Sequence, residues 1–390
     1  MKLFFLLQFK YNNGGIQHSV LPIIKSLSQK EEFDVYVVTP KDSEMSCVSF
    51  PNRVTILSTE ENEWIISAKH IFSTIKICRK IWTIMKSYYD NDSVIVTNDV
   101  GSSIIKSFMF KPNLKEIYVN RGGNFRKDKG LGPFLMRLKI CFNRISFYIA
   151  TSRKQKEMLQ SSGVDASKIK IIYNGIEIPN IEYHPKLLKK SSLFISSIGT
   201  IDDNKNHILG VYLIKKLREL GVNAYYNIYG ETHLKSDEIY KDQIKKTAED
   251  LGISEFVNLK GQVNDESLFS ETDILCSFSK SEGFGRTLVE AMLRYISVIA
   301  WRGAGGPVDI TNDGVYCHLT EKNDYNDYLN VIMYLLNNPD HDLLNKKESY
   351  SYAINNFISS IMVDNYISFF QWYQERCLHS KDYINNIVGK

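Results

Sequence analysis

The residues most able to do chemistry form one run, SEGFGRTLVEAM, at residues 281–292. Gly283 and Gly285 permit a tight turn and a close approach of the backbone to a ligand. The run follows a predicted strand and opens a predicted helix, whose first amides and dipole favour a negatively charged group. Glu282 in the turn and Glu290 about two turns into the helix can each accept paired hydrogen bonds from sugar hydroxyls. The segment therefore predicts a nucleotide-sugar pocket.

A structural interpretation of the same carboxylates stays open. Glu282 could cap the helix and Glu290 could be an exposed helical residue, which is the favoured reading for an arbitrary pair at this spacing. The Gly-Phe-Gly context and the strand-turn-helix placement favour the functional reading here. Arg286 has two readings as well, because it can be a cation for a phosphate or a solvated residue at the helix start.

Predicted strands and helices alternate along the chain in two sets. The first set includes KLFFLLQF, FDVYVVTP, SVIVTN and KEIYVN, with a long amphipathic helix from about Trp64 to Tyr89. The second set begins with SLFISSIGT and includes AYYNIYG, DILCSFS and SVIA. Such alternation predicts parallel sheets covered by helices on both faces. A polar stretch near residues 180–192 separates the sets, so we predict two doubly wound α/β domains.

The run SEGFGRTLVEAM resembles the E-x7-E motif of retaining GT-B glycosyltransferases, in particular family 4. The resemblance implies a GT-B fold, in which two Rossmann-like domains face a central cleft. Residues 1–178 would form the acceptor-binding domain and residues 190–365 the donor-binding domain. A helix at about 366–390 would pack back on the first domain.

The resemblance also implies roles for the residues of this run. Glu282 would contact the donor sugar, and the backbone amides of Gly283, Phe284 and Gly285 would meet the sugar and the diphosphate. Glu290 would hold the nucleotide ribose. The helix-start residues Arg286 and Thr287 complete this donor-binding segment.

Two further loops resemble phosphate-approaching segments of the family. FKYNNGGIQHSV, with Gly14 and Gly15, is similar to its Gly-Gly loop. GTIDDNKN is similar to its phosphate-binding loop, with Gly199 and Lys205 in the expected places. The family usually has an arginine where Thr200 stands, so one cation for the leaving diphosphate is absent from its usual position. The resemblance makes Glu282 and Lys205 the predicted catalytic residues.

Another glycine-rich turn, GAGGPVDI, follows a later predicted strand. It resembles the turn that neighbours the donor pocket in the family, and Gly305 and Gly306 would allow close approach. An ordinary strand-to-helix turn explains it equally well.

The first half of the chain has fewer chemical markers. The family often has a histidine there that meets the donor sugar or acceptor, but residues 1–175 contain only His18 and His70, and neither matches cleanly. Asp99 and Arg121 follow predicted strands at plausible cleft positions. Each could instead cap a helix or form an ion pair.

Charge is distributed unevenly along the chain. Residues 1–175 hold 26 Lys and Arg against 15 Asp and Glu, a net charge of +11, whereas the remainder has a net charge of −7. The basic amphipathic segments WIISAKHIFSTIKICRKIWTIMKSYY and RKDKGLGPFLMRLKICFNRISF could lie on an anionic membrane, or cover the sheet with basic side chains reaching outward. No nucleic-acid-binding motif accompanies the charge. No signal peptide or membrane span is recognised, so we expect a cytoplasmic protein, in contact with the inner face of the plasma membrane.

These features together predict a retaining glycosyltransferase. It would transfer a hexose or N-acetylhexosamine from a nucleotide sugar, UDP-sugar before GDP-sugar, to a hydroxyl of a glycan or lipid-linked acceptor in cell-surface polysaccharide synthesis. No metal or other cofactor is expected, since no Asp/His cluster and no C-x-x-C pair is found. The alternatives are a non-catalytic GT-B-like sugar-binding protein and a sugar-nucleotide epimerase, although the latter has no use for an E-x7-E motif.

Overall fold

The computed structural model describes residues 1–7, 15–41, 53–62, 64, 71–107, 109, 114–121, 131–263 and 265–388. The chain divides into two compact units. Unit 1 comprises Met1–Gly175 together with Ser359–Lys390, and unit 2 comprises Ile176–Ile358. Each unit is built on its own parallel sheet.

Unit 1 contains seven described strands and five described helices before the chain enters unit 2. The strands are β1 (Lys2–Leu6), β2 (Asp34–Pro40), β3 (Val54–Thr59), β4 (Ser93–Thr97), β5 (Glu116–Asn120), β6 (Phe147–Ala150) and β7 (Ile169–Ile171). The helices are α1 (Gly15–Leu27), α2 (Ile71–Met85), α3 (Val100–Ser107), α4 (Leu131–Cys141) and α5 (Arg153–Ser161). All strands run parallel, in the order β3-β2-β1-β4-β5-β6-β7.

Unit 2 repeats this architecture with six described strands. The strands are β8 (Leu193–Ile198), β9 (Ala224–Tyr229), β10 (Val257–Gly261), β11 (Ile274–Ser277), β12 (Ser297–Trp301) and β13 (His318–Thr320). The helices are α6 (His207–Glu219), α7 (Lys235–Asp250), α8 (Asp265–Ser270), α9 (Arg286–Met292), α10 (Gly306–Ile310), α11 (Tyr325–Asn337) and α12 (Pro339–Asn356). The sheet order is β10-β9-β8-β11-β12-β13, again all parallel.

Successive side chains of a strand point to opposite faces of the first sheet, and different helices cover the two faces. Leu3 and Phe5 pack with α1 and with Phe370 of the last helix, α13 (Ser359–Val388). Phe4 points to the opposite face and packs with Ile81 of α2. Because both faces of the central strands are buried, β1 and β4 are mainly hydrophobic, as expected in parallel sheets. The helix expected at about 366 begins earlier, at Ser359.

The core of unit 2 forms in the same way between β8, α6 and α11. Leu193 and Ile195 pack with Ile214 and Tyr328, all fully buried or nearly so. α11 begins after Asp324, whose carboxylate accepts the backbone N–H groups of the first turn. Such a cap replaces hydrogen bonds that the first turn of a helix lacks.

The long helix expected from Trp64 to Tyr89 is shorter where the structure describes it. α2 spans Ile71–Met85, and Trp64 lies outside any helix, with its indole N–H donating to Thr59 Oγ1 at 3.0 Å. Trp64 instead fills the core beneath α2. Among the described helices, none combines the length and apolar character that crossing a bilayer requires.

Candidate active site

The second sheet changes direction between β8 and β11. From β8 the chain continues through α6 to β9 on one side, and from β11 through α9 to β12 on the other. The loops at residues 199–206 and 278–285 therefore leave adjacent strands at the same edge of the sheet. Ligands of open parallel sheets bind in the crevice at such a switch point.

Hydrogen bonds join these two loops directly. The Lys280 backbone N–H donates to the Asn204 carbonyl at 2.8 Å, and Asn204 Nδ2 donates to the Ser281 carbonyl at 3.1 Å. The Lys280 ammonium also lies 2.7 Å from a carboxylate oxygen of Asp203. The loops thus hold each other in one arrangement.

The two predicted catalytic residues meet across this junction. Lys205 Nζ lies 2.7 Å from Glu282 Oε2, although 77 residues separate them in sequence. The aliphatic part of Lys205 lies against Gly199, where an added Cβ would come within 2.8 Å of Lys205 Cε. The two side chains are 23% and 19% exposed, so the pair is accessible from solvent. The arrangement presents a cation and a carboxylate to the same crevice.

The Glu282 backbone is fixed from a third direction, by the GAGG turn. Its N–H donates to the Ala304 carbonyl and its carbonyl accepts the Gly306 N–H, both at 2.9 Å. A Cβ on Gly306 would lie 2.3 Å from the Phe284 carbonyl oxygen, so the turn needs glycine there. The structure therefore places Gly305 and Gly306 directly beside the Glu282 turn.

The turn leads into α9 through Gly285. This residue has φ of +101°, a left-handed conformation in which glycine is favoured. The preceding Phe284 ring is buried and contacts Phe357 edge to face at 5.7 Å. Phe284 therefore anchors the turn through its side chain.

The remaining carboxylate of the motif lies in α9. Because α9 begins only at Arg286, Glu290 stands about one turn into the helix rather than two. An Arg286 guanidinium nitrogen lies 3.6 Å from Glu290 Oε1, and each side chain is about one-fifth exposed, 20% and 19%. Arg286 thus lies beside Glu290 at the start of the helix, and Thr287 follows it.

A buried histidine below the first loop was missed by sequence reasoning. His207 is 1% exposed; its Nδ1 is 2.7 Å from Ser197 Oγ and its Nε2 is 3.2 Å from the Thr200 carbonyl oxygen. A carbonyl only accepts, so Nε2 carries the proton and Nδ1 accepts from Ser197. Tyr226 OH, 2.6 Å from Ser197 Oγ, completes the network. Burial lowers the pKa of His207 to about 4, which keeps the ring neutral.

A small cleft lies at this edge. Its lining is rich in small hydroxyl groups beside the ionic residue, and includes Ser197, Lys205, His207, Ser277, Ser279 and Thr287. Hydroxyl groups can donate and accept, which suits a polyhydroxylated or phosphate-bearing ligand. Within the described residues, no group of three or more His, Cys, Asp and Glu side chains is placed to hold a metal ion.

The amino-terminal glycine loop is only partly described. Gly14 lies outside the described residues, and Gly15 is the first residue of α1. His70 and the side chain of His18 also lie outside them. Their predicted contacts with a ligand remain predictions.

The other two amino-terminal candidates, Asp99 and Arg121, make different contacts. Asp99 accepts the Ser102 backbone N–H at 2.8 Å and so caps the first turn of α3, which was the structural alternative. Arg121 donates from Nη1 to Asn174 Oδ1 at 2.8 Å and from Nη2 to Asn98 Oδ1 at 3.2 Å. The sequence did not indicate these two amide partners.

Comparisons with known proteins identify the family of the chain. Residues 13–178 match the model described as Glycosyltransferase Family 4, and residues 180–356 match the model described as Glycosyl transferases group 1. The chain is 24% identical over 379 residues to an uncharacterized 41.2 kDa protein in the cps region of Klebsiella pneumoniae, covering 92% of this chain and 98% of that one. It is 25% identical over 284 residues to poly(ribitol-phosphate) alpha-N-acetylglucosaminyltransferase of Staphylococcus aureus, covering 70% of this chain and 54% of that enzyme.

Solved structures share the architecture. HepE of Anabaena, solved in complex with UDP, matches 95% of this chain and 100% of its own length with a TM-score of 0.74 at 16% identity. This likeness shows the GT-B fold, with two parallel-sheet α/β units of seven and six strands. Because two glycosyltransferase family models match successive parts of the chain and named transferases are among its relatives, the chain is a GT-B glycosyltransferase.

Proposed function

We propose that this enzyme is a retaining glycosyltransferase that moves a hexose or N-acetylhexosamine from a UDP-sugar to a hydroxyl of a glycan or lipid-linked acceptor in cell-surface polysaccharide synthesis. GDP-sugar is the second choice of donor. The observation that carries the proposal is the contact between Lys205 and Glu282 at the switch point of the second sheet, 2.7 Å between Nζ and Oε2. A cation and a hydroxyl-binding carboxylate side by side suit a sugar joined to a diphosphate.

The donor would bind unit 2 through both loops. Glu282 would accept hydrogen bonds from the sugar hydroxyls, and Glu290 would hold the ribose. Lys205 would stabilise the charge that grows on the diphosphate as it leaves, because an ammonium can donate to Glu282 and to a phosphate oxygen at once. The backbone of Gly283 and Gly285 would approach the diphosphate closely. Thr200 offers a hydroxyl where the family usually has an arginine, so Lys205 would supply most of the positive charge.

The retaining outcome follows from what the resemblance implies about this site. The acceptor hydroxyl would approach the sugar from the face that the diphosphate leaves. Catalysis would then consist of leaving-group stabilisation and positioning, with no metal ion required.

The choice of donor and acceptor is supported by what the relatives are named for. The Staphylococcus aureus relative is an N-acetylglucosaminyltransferase, and HepE was solved with UDP. The Klebsiella pneumoniae relative comes from a cps region. We therefore extend an N-acetylhexosamine, a UDP donor and a surface polysaccharide to this enzyme.

We further propose that the enzyme works in the cytoplasm at the inner face of the plasma membrane. α2 exposes Lys76 together with Phe72, which is 86% exposed, and Lys86 is exposed in the turn directly after α2. α4, on the same face of the first sheet, exposes Phe134, and Phe142 is exposed directly after α4. Basic and aromatic side chains together suit an anionic bilayer surface, where a lipid-linked acceptor would be found.

A donor panel tests the catalytic proposal. The purified protein is mixed with UDP- and GDP-sugars, and nucleotide release and thermal unfolding are followed, since a ligand of the native state raises its stability. Glu282→Ala should lower donor turnover by about a hundred- to a thousandfold. Glu219→Ala, at an exposed carboxylate on α6, is the matched control and should retain full turnover.

Four outcomes would count against parts of this assignment. Wild-type turnover in folded Glu282→Ala would remove Glu282 from catalysis. Inversion of the anomeric configuration, seen by NMR of the product, would refute retention, and loss of activity in EDTA would refute metal independence. Stabilisation by donors without any turnover would refute the proposed choice of donor and acceptor.

A further inference from the structure

The sheet of unit 1 has a switch point of its own. The chain proceeds from β1 to β2 on one side and from β4 to β5 on the other, while β1 and β4 are neighbours. Asn98 directly follows β4, and Arg121 directly follows β5. Both residues therefore stand at the edge where ligands of parallel sheets bind.

The Arg121 guanidinium is held in one orientation by amide oxygens. Its Nε and Nη2 donate to Asn98 Oδ1 at 3.3 and 3.2 Å, and its Nη1 donates to Asn174 Oδ1 at 2.8 Å. These bonds to neutral amide oxygens orient the planar guanidinium through its N–H donors. An oriented planar cation is suited to recognise the oxygen atoms of a carboxylate or a phosphate.

Asn98 contributes a second, independent observation. It is only 3% exposed, and its Nδ2 is buried without a hydrogen-bond partner among the described residues. Turning the amide over would set its NH₂ group against the Arg121 donors, so Oδ1 must face Arg121 and Nδ2 must point elsewhere. A buried N–H without an acceptor is rare in proteins and indicates that an acceptor is missing.

We propose that Asn98 and Arg121 bind an oxyanion, a phosphate or carboxylate group, carried by the acceptor. The inference rests on the proposed function, since it names the acceptor class of the same enzyme. Asp99, the adjacent carboxylate, is engaged at the α3 cap. The net charge of +11 over residues 1–175 favours an anionic ligand for this unit, whereas the rest of the chain is negative.

The test compares acceptors that differ only in charge. A phosphate-bearing glycan is paired with its dephosphorylated form, and a uronic-acid glycan with its neutral hexose counterpart. Arg121→Gln should lower kcat/KM for the preferred anionic acceptor about ten- to a hundredfold more than it lowers hydrolysis of the donor by water. It should also abolish the preference over the neutral counterpart, and the pair that shows the preference identifies the oxyanion.

Two variants separate this role from a structural one. Arg121→Lys keeps the charge but not the planar fork, and should recover part of the preference. Arg144→Gln, at an exposed arginine after α4, is the matched control and should keep the full preference. Asn98→Ala should raise KM for the anionic acceptor with little change in kcat.

The opposite results would overturn the inference. It fails if Arg121→Gln retains the anionic preference, or if donor hydrolysis falls as much as transfer, which would assign Arg121 to the donor. If the wild type turns over no donor, the proposed function fails. The anion site is then tested separately, by calorimetry of inorganic pyrophosphate binding in saturating UDP. Tenfold weaker pyrophosphate binding by Arg121→Gln would still support the anion site, and equal binding would refute it.

Discussion

The two units present the same edge of the same kind of sheet, but they fill it with different chemistry. At the switch point of unit 2, Lys205 and Glu282 are in direct contact, 2.7 Å apart. At the switch point of unit 1, Arg121 is held by the neutral amides of Asn98 and Asn174. Open parallel sheets bind ligands at this edge, so we expect the loop residues of each unit to determine which ligand it takes.

The buried polar networks of the two units differ as well. In unit 2, His207 and its partners lie directly beneath the candidate site, bonded to the Thr200 carbonyl. In unit 1, the buried Glu116 begins β5, at the sheet edge opposite Asn98, and lies 2.7 Å from Lys139 Nζ and 3.6 Å from Lys106 Nζ. One network supports a site, whereas the other is placed to stabilise the fold.

The largest effect is expected from Glu116→Gln. The substitution leaves two lysines buried without their carboxylate, and removing one partner of a buried ion pair costs about 3–5 kcal/mol. Burial lowers the pKa of Lys106 and of Lys139, so part of the loss should be recovered at high pH. Denaturant unfolding measures the loss of stability, and Glu157→Gln, which removes an exposed ion pair, is the control. Unchanged stability, or weaker UDP binding by a folded variant, would contradict the division of roles between the networks.

Next in size is the effect of Lys205→Ala on catalysis. With Thr200 in place of an arginine, Lys205 would carry most of the leaving-group stabilisation, so kcat should fall about a hundred- to a thousandfold, or about 3–4 kcal/mol. Lys205→Arg should retain more activity because it keeps the charge. Steady-state kinetics with the best donor measures both. A fall in kcat of tenfold or less would show that another group bears the diphosphate charge, and the contrast between the two edges would weaken.

The third prediction concerns pH and His207. Burial and the neighbouring Lys205 lower the pKa of His207 from 6.5 to about 4, although the Thr200 carbonyl opposes this shift. Between these values the unfolded chain binds a proton that the folded chain does not. Stability is therefore fully retained above pH 6.5 and falls as pH drops toward 4, by about 3 kcal/mol for this group.

His207→Gln isolates that contribution. Denaturant unfolding of wild type and variant at pH 7 and pH 4.5 gives two acid-induced losses, and the variant should lose less. Equal losses would show that the pKa of His207 is not lowered by folding, and that His207 titrates like a histidine on the surface.

The sequence predicted more of the candidate site in unit 2 than in unit 1, for physical reasons. The spacing of Glu282 and Glu290 and the glycines between them are local, so a motif reveals them. The contact of Lys205 with Glu282 spans 77 residues and depends on strand order, which local patterns do not encode. His207 directly precedes the apolar run ILGVYLI of α6, a signal that could have indicated a buried partner. Asp99 caps α3 instead of facing a ligand, because its carboxylate bonds to a nearby backbone N–H group.

The smallest effect is expected at the surface, where the units differ in charge. Lys76 on α2 is exposed in the basic half of the chain, and a single lysine near an anionic bilayer contributes about 1 kcal/mol. Lys76→Gln should therefore weaken partitioning onto phosphatidylglycerol-containing vesicles about fivefold, measured by sedimentation. Lys246→Gln, at an exposed lysine of α7 in unit 2, should change nothing. High salt should erase the difference by screening. Equal binding of the wild type to purely phosphatidylcholine vesicles would refute the electrostatic contact, and only the exposed aromatic side chains would then explain the binding.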